Sequence, residues 1–176
     1  MNFLREFLYF ATNEVLIIPA FAWFVAQLFK VLINGIMNKS FSPERLIGDG
    51  GMPSGHSATV MSLAMVCGFS CGFASVEFGI SMILAVIVMH DALGVRRETG
   101  KQAVSIIEMA EIINDYFAEK DEKVKTEKLK TLVGHTPLQV VCGALVGVVI
   151  AVIFHYALGW AFVELEAIID SWFVVA

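Results

Sequence analysis

Residues 50–58 read Gly-Gly-Met-Pro-Ser-Gly-His-Ser-Ala and stand directly before an apolar stretch. Proline fits the first turn of a helix, because its missing N–H would be unpaired there anyway. Serine and glycine keep the backbone open, so amide groups point outward at the positive end of the helix. The stretch therefore predicts a helix start that binds an oxyanion, with His56 held against it. The alternative is a flexible turn with an incidental histidine.

The composition is that of a membrane protein. Of the 176 residues, 57% are hydrophobic, and the mean hydropathy of +0.75 is higher than soluble domains show. We predict an all-α integral membrane helical bundle of about four spans, forming a single domain over residues 1–176. The segments long and apolar enough to span or nearly span a bilayer are 14–37, 57–74, 78–93 and 137–163.

Two amphipathic segments are expected at the membrane interface. Residues 1–12 are rich in phenylalanine and leucine and should form a helix that leads into the first span. Residues 97–130 begin with apolar side chains spaced three to four apart, which predicts a helix lying on the membrane or on the bundle. The same segment ends in a mixed-charge run that is typical of a solvated loop.

The distribution of basic residues predicts the orientation in the membrane. Lysines and arginines are concentrated in residues 38–56 and 94–135, which lie on one side if the four spans alternate. The other side has Arg5 and several carboxylates. The positive-inside rule then puts both basic connections in the cytoplasm and both termini outside. The net charge of −5 says little about partners, because this asymmetry matters more, and no nucleic-acid partner is expected.

Polar residues stand at the predicted cytoplasmic ends of the spans. Lys30 follows Gln27 by three residues, so both share a helix face. An intramembrane lysine usually faces a cavity or a partner; the alternative is snorkelling to the interface. Asp91 ends the third span, where a carboxylate needs a cation, an imidazole or a metal. Arg96 and Arg97 suit a phosphate, because the guanidinium fork matches two of its oxygens; the alternative is membrane anchoring.

Residues 134–140, Gly-His-Thr-Pro-Leu-Gln-Val, repeat the pattern of the first stretch. Thr136 can cap a helix and Pro137 takes its first position. His135 therefore also lies at a helix start on the cytoplasmic side, and Gln139, one turn further, can hydrogen-bond back toward the imidazole. Two histidines at two helix starts, surrounded by cations, predict phosphoryl transfer. One imidazole would attack phosphorus and the other would protonate the leaving oxygen.

Other chemistries find less support, and no metal or cofactor is expected. The residues around Ser54 do not read Gly-x-Ser-x-Gly, and no Walker glycine loop occurs. Asp49 and Asp91 are the carboxylates best placed for a metal, which is too few for an acidic cluster. His155, in the middle of the last span, is predicted to be a buried packing residue.

These motifs resemble the type 2 phosphatidic acid phosphatase and vanadium haloperoxidase superfamily. The chain is most similar to its small divergent membrane branch, the acid phosphatase/vanadium-dependent haloperoxidase-related proteins. The resemblance covers about residues 25–147 and includes the motifs at 50–58, 91–97 and 134–140 in the family's order. It implies that His56 is the general acid and His135 the nucleophile. The residues that would bind phosphate are Lys30, Ser54, Gly55, Arg96 and Arg97.

The chain departs from the superfamily pattern beside the nucleophile. Gln139 stands where the superfamily has an aspartate that raises the nucleophilicity of the imidazole, and Asp91 is the candidate to supply that charge. The superfamily's Ser-Arg pair before the nucleophile is absent, so Arg96 or Arg97 would replace it.

The resemblance implies a metal-independent phosphohydrolase that acts on a lipid phosphate or a polyprenyl (di)phosphate through a phosphohistidine. The lipid tail would lie in the bundle and the phosphate at the cytoplasmic interface. The expected partners are membrane lipids and the phosphorylated lipid or isoprenoid substrate, and homo-oligomerisation is left open. The alternative is a non-catalytic protein that binds or transports a lipid phosphate with the same anion site. The missing aspartate favours that alternative.

Overall fold

The fold is known from a computed structural model that describes residues 3–38, 51–116 and 135–174, apart from the side chains at 37–38, 95–97 and 174. All regular structure in these ranges is helical, which confirms the all-α prediction. A π-helical turn, Phe154–Leu158, joins the last two helices. The helices are α1 (Phe3–Thr12), α2 (Glu14–Asn38), α3 (Gly55–Cys71), α4 (Val76–Leu93), α5 (Val95–Tyr116), α6 (Pro137–Ile153) and α7 (Gly159–Val174).

The helix lengths agree with about four spans. Three stretches are long and apolar enough to cross a membrane, namely Glu14–Ile36, Val76–Tyr116 and Pro137–Phe173. Helix α3 has 17 residues and so reaches about 25 Å, slightly less than a hydrocarbon core of about 30 Å. It is nevertheless the central helix, because α2, α4 and α6 all pack against it.

Contacts at the two ends of α3 give the direction of α2. At one end, the Lys30 side chain of α2 lies beside Gly51, just before α3 begins. At the other end, the Ser70 hydroxyl of α3 donates a hydrogen bond to the Glu14 carboxylate, at the start of α2. Helices α2 and α3 are therefore antiparallel, and the start of α3 lies against the middle of α2, at Trp23, Gln27 and Lys30.

Helix α6 runs parallel to α3 at backbone contact. A methyl group added at Gly143 would lie 2.3 Å from the carbonyl oxygen of Ser54, and one at Gly147 would lie 2.3 Å from that of Ala58. Glycines four residues apart on one helix face allow this approach, as in other membrane helix pairs. This contact brings the starts of α3 and α6 to the same end of the bundle.

Replacing Gly147 with alanine should destabilise the protein by about 1–3 kcal/mol, because the new methyl group would press the α6 backbone away from α3. The matched control is Gly79→Ala in α4, where a methyl group meets nothing within 4 Å. That control should leave stability unchanged or raise it by up to about 1 kcal/mol, through helix propensity. Thermal unfolding in detergent measures both variants. Equal midpoints for the two variants would contradict the close α3–α6 packing.

Helices α1 and α7 pair with each other, away from the start of α3. The Arg5 guanidinium donates to the Asp170 carboxylate at 2.6 Å, and the Tyr9 hydroxyl donates to the same oxygen at 2.5 Å. Both partners of the ion pair are about half exposed, with side-chain exposures of 44% and 49%. Because surface ion pairs of this kind contribute about 0–1 kcal/mol, this one orients α1 more than it stabilises the fold.

The prediction that His155 is buried is wrong. The residue is exposed, and its ring stacks on Phe69 with the centroids 4.5 Å apart. In a regular α-helix, His155 would share a face with Ala151, which is fully buried. The π-helical turn inserts an extra residue at this point and rotates the following side chains away from the core.

Candidate functional site

Three helix ends meet beside the middle of α2. The Ser54 N–H, before α3, donates to the Gln139 carbonyl of α6 at 3.0 Å. The His135 N–H, before α6, donates to the Ala92 carbonyl at the end of α4 at 3.1 Å. Together with the contact of Lys30 in α2 with Gly51, these bonds bring predicted site residues from distant parts of the sequence to one place.

The start of α3 is capped by Ser54, so Pro53 lies before the helix and not in its first turn, where the sequence predicts it. The Ser54 hydroxyl accepts from the Ser57 N–H at 3.3 Å and from the Ser57 hydroxyl at 3.0 Å. Ser54 and Gly55 are buried, while His56 is partly exposed. The amides of Gly55 and His56 lie at the positive end of a 17-residue helix, which favours a bound anion.

Lys30 is buried beneath the loop that leads into α3. Its side chain is 3% exposed, so it does not snorkel to the surface. A methyl group on Gly51 would lie 3.1 Å from Lys30 Cγ, so the lysine stem passes directly below this glycine. Gly51 has a φ of +104°, a conformation that glycine adopts readily. A buried ammonium group requires anionic or hydrogen-bonding partners.

His56 and His135 lie near each other with rings at an angle. Their centroids are 6.4 Å apart and the ring planes meet at 60°. His135 is 3% exposed. Each ring belongs to a different helix start, so the packing of α6 on α3 sets the distance between them. Groups at this separation can approach one phosphoryl group from two sides.

A pocket of about 210 Å³ opens beside His56, between α3 and α4. His56 and Asp91 form its polar wall, and Ile87 and Val88 form its apolar wall. Ile87 is 59% exposed on the outside of the bundle. The pocket therefore offers polar groups to a head group and an apolar surface to a hydrocarbon chain.

Gln139 fixes the protonation pattern of His135. The Thr136 N–H donates to the Gln139 side chain at 3.0 Å, so the acceptor there is the oxygen Oε1 and not the amide nitrogen. His135 Nδ1 lies 3.2 Å from the same oxygen. Because that oxygen only accepts, Nδ1 carries the hydrogen, and Nε2 of the neutral ring holds the lone pair. The capping box of α6 thus holds the Gln139 side chain against the His135 ring.

Some predicted groups lie outside the described residues. Arg96 and Arg97 are in the first turn of α5, but their side chains are not among those described. The same holds for the whole of residues 117–134, which include the mixed-charge run. Within the described ranges, no three side chains of His, Cys, Asp or Glu lie close enough to hold a metal ion.

The buried face of α2 contains polar residues that the sequence interpretation did not single out. Asn34 is 8% exposed and lies one turn after Lys30. At the edge of this face, Trp23 lies one turn before Gln27 and is 42% exposed, and its ring would meet a methyl group on Gly55 at 3.1 Å. The spacing of positions 23, 27, 30 and 34 marks one helix face and is the signal that could have found both.

Comparisons with known proteins agree with this architecture. The model of the Divergent PAP2 family matches residues 11–150, well over half of the chain. The uncharacterized membrane protein YuiD of Bacillus subtilis is 38% identical over 151 residues, which cover 82% of this chain and 96% of that protein. No solved structure matches the chain.

Proposed function

The chain belongs to the divergent PAP2 family, and from this premise we propose that it is a membrane phosphohydrolase acting on a lipid phosphate or a polyprenyl (di)phosphate. The observation that carries the proposal is the approach of His56 and His135, 6.4 Å apart at two helix starts. The buried Lys30 and the amide groups of α3 add positive potential to the same end of the bundle.

In the proposed reaction, His135 Nε2 attacks phosphorus and forms an N–P bond as the P–O bond to the lipid breaks. His56 protonates the departing oxygen, which leaves as an alcohol or, from a diphosphate, as a phosphate. Water then attacks the phosphohistidine and gives its proton to His56, so the P–N bond breaks and inorganic phosphate is released. Lys30 and the amides of Gly55 and His56, with Arg96 or Arg97, would stabilise charge on the phosphoryl oxygens.

The pocket supports a substrate with a hydrocarbon tail. Ile87 and Val88 continue the wall that begins with His56 and Asp91, so a tail could lie along α4 while its phosphate reaches the histidines. Membrane lipids and the lipid or isoprenoid phosphate are thus the proposed partners. The concentration of lysine and arginine in residues 38–56 and 94–135 supports a site at the cytoplasmic face.

Gln139 supports a second candidate function. It contacts His135 without the negative charge that a carboxylate would add, which lowers the nucleophilicity expected of the ring. A protein that binds or transports a lipid phosphate would need the same cations and helix starts but no such charge. The two functions predict different fates for the phosphate ester.

Purified protein in detergent should release inorganic phosphate from phosphatidic acid or a polyprenyl diphosphate, and a chelator should not prevent it. Orthovanadate should inhibit the release, because it occupies phosphoryl sites as a mimic of the transition state. Tight binding of the same lipids without phosphate release would establish the binding function instead. Neither binding nor release would refute both.

A further inference from the structure

Gln27 has a buried oxygen that nothing in the described part of the chain satisfies. The residue lies on α2 one turn before Lys30 and is 4% exposed. Its side-chain oxygen Oε1 is buried and has no hydrogen-bond partner among the described residues. Such unsatisfied acceptors are rare in folded proteins, because no hydrogen bond offsets the free-energy cost of removing them from water. We therefore expect that a bound ligand donates a hydrogen bond to this oxygen.

The position of Gln27 indicates what kind of ligand would donate a hydrogen bond to this oxygen. Its amide nitrogen would lie 3.8 Å from a methyl group on Gly55, the first residue of α3. The side chain therefore packs against the helix start that favours an anion. The backbone amides at the start of α3 and the Lys30 ammonium can only donate hydrogen bonds. An oxygen among these donors suits an anion that also carries a hydrogen.

We propose that Gln27 Oε1 accepts a hydrogen bond from a protonated phosphate oxygen and thereby makes the site select phosphate groups that carry a P–OH. A phosphate monoester loses its last proton near pH 6, so a P–OH form is available close to neutral pH. Sulfate and phosphodiesters carry no such hydrogen at that pH. Gln27 thus determines specificity for the head group, and this inference rests on the proposed phosphohydrolase function.

The test compares the binding of inorganic phosphate and sulfate by the full-length protein in detergent, measured by calorimetry. Wild type should prefer phosphate. Gln27→Met keeps the size of the side chain and removes the acceptor, so the dissociation constant for phosphate should rise about tenfold while that for sulfate changes less than about twofold. Gln27→Glu retains an acceptor and should retain the preference for phosphate.

Ser62→Ala is the matched control. Ser62 on α3 also has a buried oxygen without a partner among the described residues, but it lies eight positions after the helix cap, about 12 Å along the helix. Its replacement should leave both dissociation constants unchanged. Equal affinity of wild type for phosphate and sulfate, or no binding of either, would overturn the inference. So would an equal loss of both anions in Gln27→Met and Gln27→Glu.

Because binding is measured without turnover, the two proposals fail separately. Phosphate preference that depends on Gln27, in a protein that hydrolyses no lipid phosphate, would refute the proposed hydrolysis and leave this assignment standing. A protein that hydrolyses lipid phosphates but binds phosphate and sulfate equally would support the proposed hydrolysis and refute this assignment.

Discussion

Replacing His135 with alanine is expected to lower lipid phosphate hydrolysis by at least about a thousandfold, because the variant lacks the atom that attacks phosphorus. The loss should be the same for substrates with good and poor leaving groups, since both need the nucleophile. Phosphate release from p-nitrophenyl phosphate and from phosphatidic acid, measured in the same detergent, tests both conditions.

Replacing His56 with alanine should give a different pattern. A general acid contributes about 10²–10⁴-fold where the leaving oxygen needs a proton. Hydrolysis of phosphatidic acid should therefore fall by that factor, while hydrolysis of p-nitrophenyl phosphate should fall by less than about tenfold. An equal loss of hydrolysis rate on both substrates would show that His56 is not the proton donor.

His155→Ala is the control for both substitutions. The ring of His155 stacks on Phe69, near the end of α3 and therefore away from its start. Activity in this variant should stay within about twofold of wild type, since the side chain is exposed and its removal opens no cavity. A large loss there would mean that histidine replacements act through folding and not through chemistry.

Local features of the site could be predicted from the sequence because they depend on neighbouring residues. The threonine cap of α6 and the place of His135 beside it follow from residues 135–137, whereas α3 begins only after Ser54 and leaves Pro53 outside the helix. The shared face of Gln27 and Lys30 follows from a spacing of three. Each of these predictions needs only the geometry of one helix start or one helix face.

Features that depend on contacts between helices could not be predicted in this way. The distance between His56 and His135 is set by Gly143 and Gly147 against the α3 backbone, and a glycine in an apolar stretch does not identify its neighbour. His155 was misplaced because a regular helix period was assumed across a π-helical turn. In both cases the missing information is the relation between one element and the next.

Replacing Gln139 tests whether this divergent site has all the groups that catalysis needs. Gln139→Leu removes the acceptor that holds the hydrogen on His135 Nδ1, so the ring would populate the wrong tautomer and lose its orientation. Loss of a tautomer-fixing group beside a catalytic histidine costs up to about 10⁴-fold in serine proteases. We expect Gln139→Leu to lower kcat by about a hundredfold or more, with little change in KM.

Two further variants separate this effect from helix capping. Thr136→Ala removes the hydroxyl that accepts from the Gln139 N–H and leaves the contact between Gln139 and His135. This variant should therefore lose about 1 kcal/mol of stability and keep nearly all of its activity. Gln139→Glu keeps the capping box and adds a negative charge 3.2 Å from His135 Nδ1, which raises the pKa of His135.

The attacking ring must be neutral, so a raised pKa moves the acidic limb of the pH–rate profile of Gln139→Glu to higher pH. Above that limb, the more basic ring should react at least as fast as in wild type. A Gln139→Leu variant with full activity would show that the amide has no part in orienting the nucleophile. An unchanged acidic limb in Gln139→Glu would show that His135 is not the group whose protonation limits the rate.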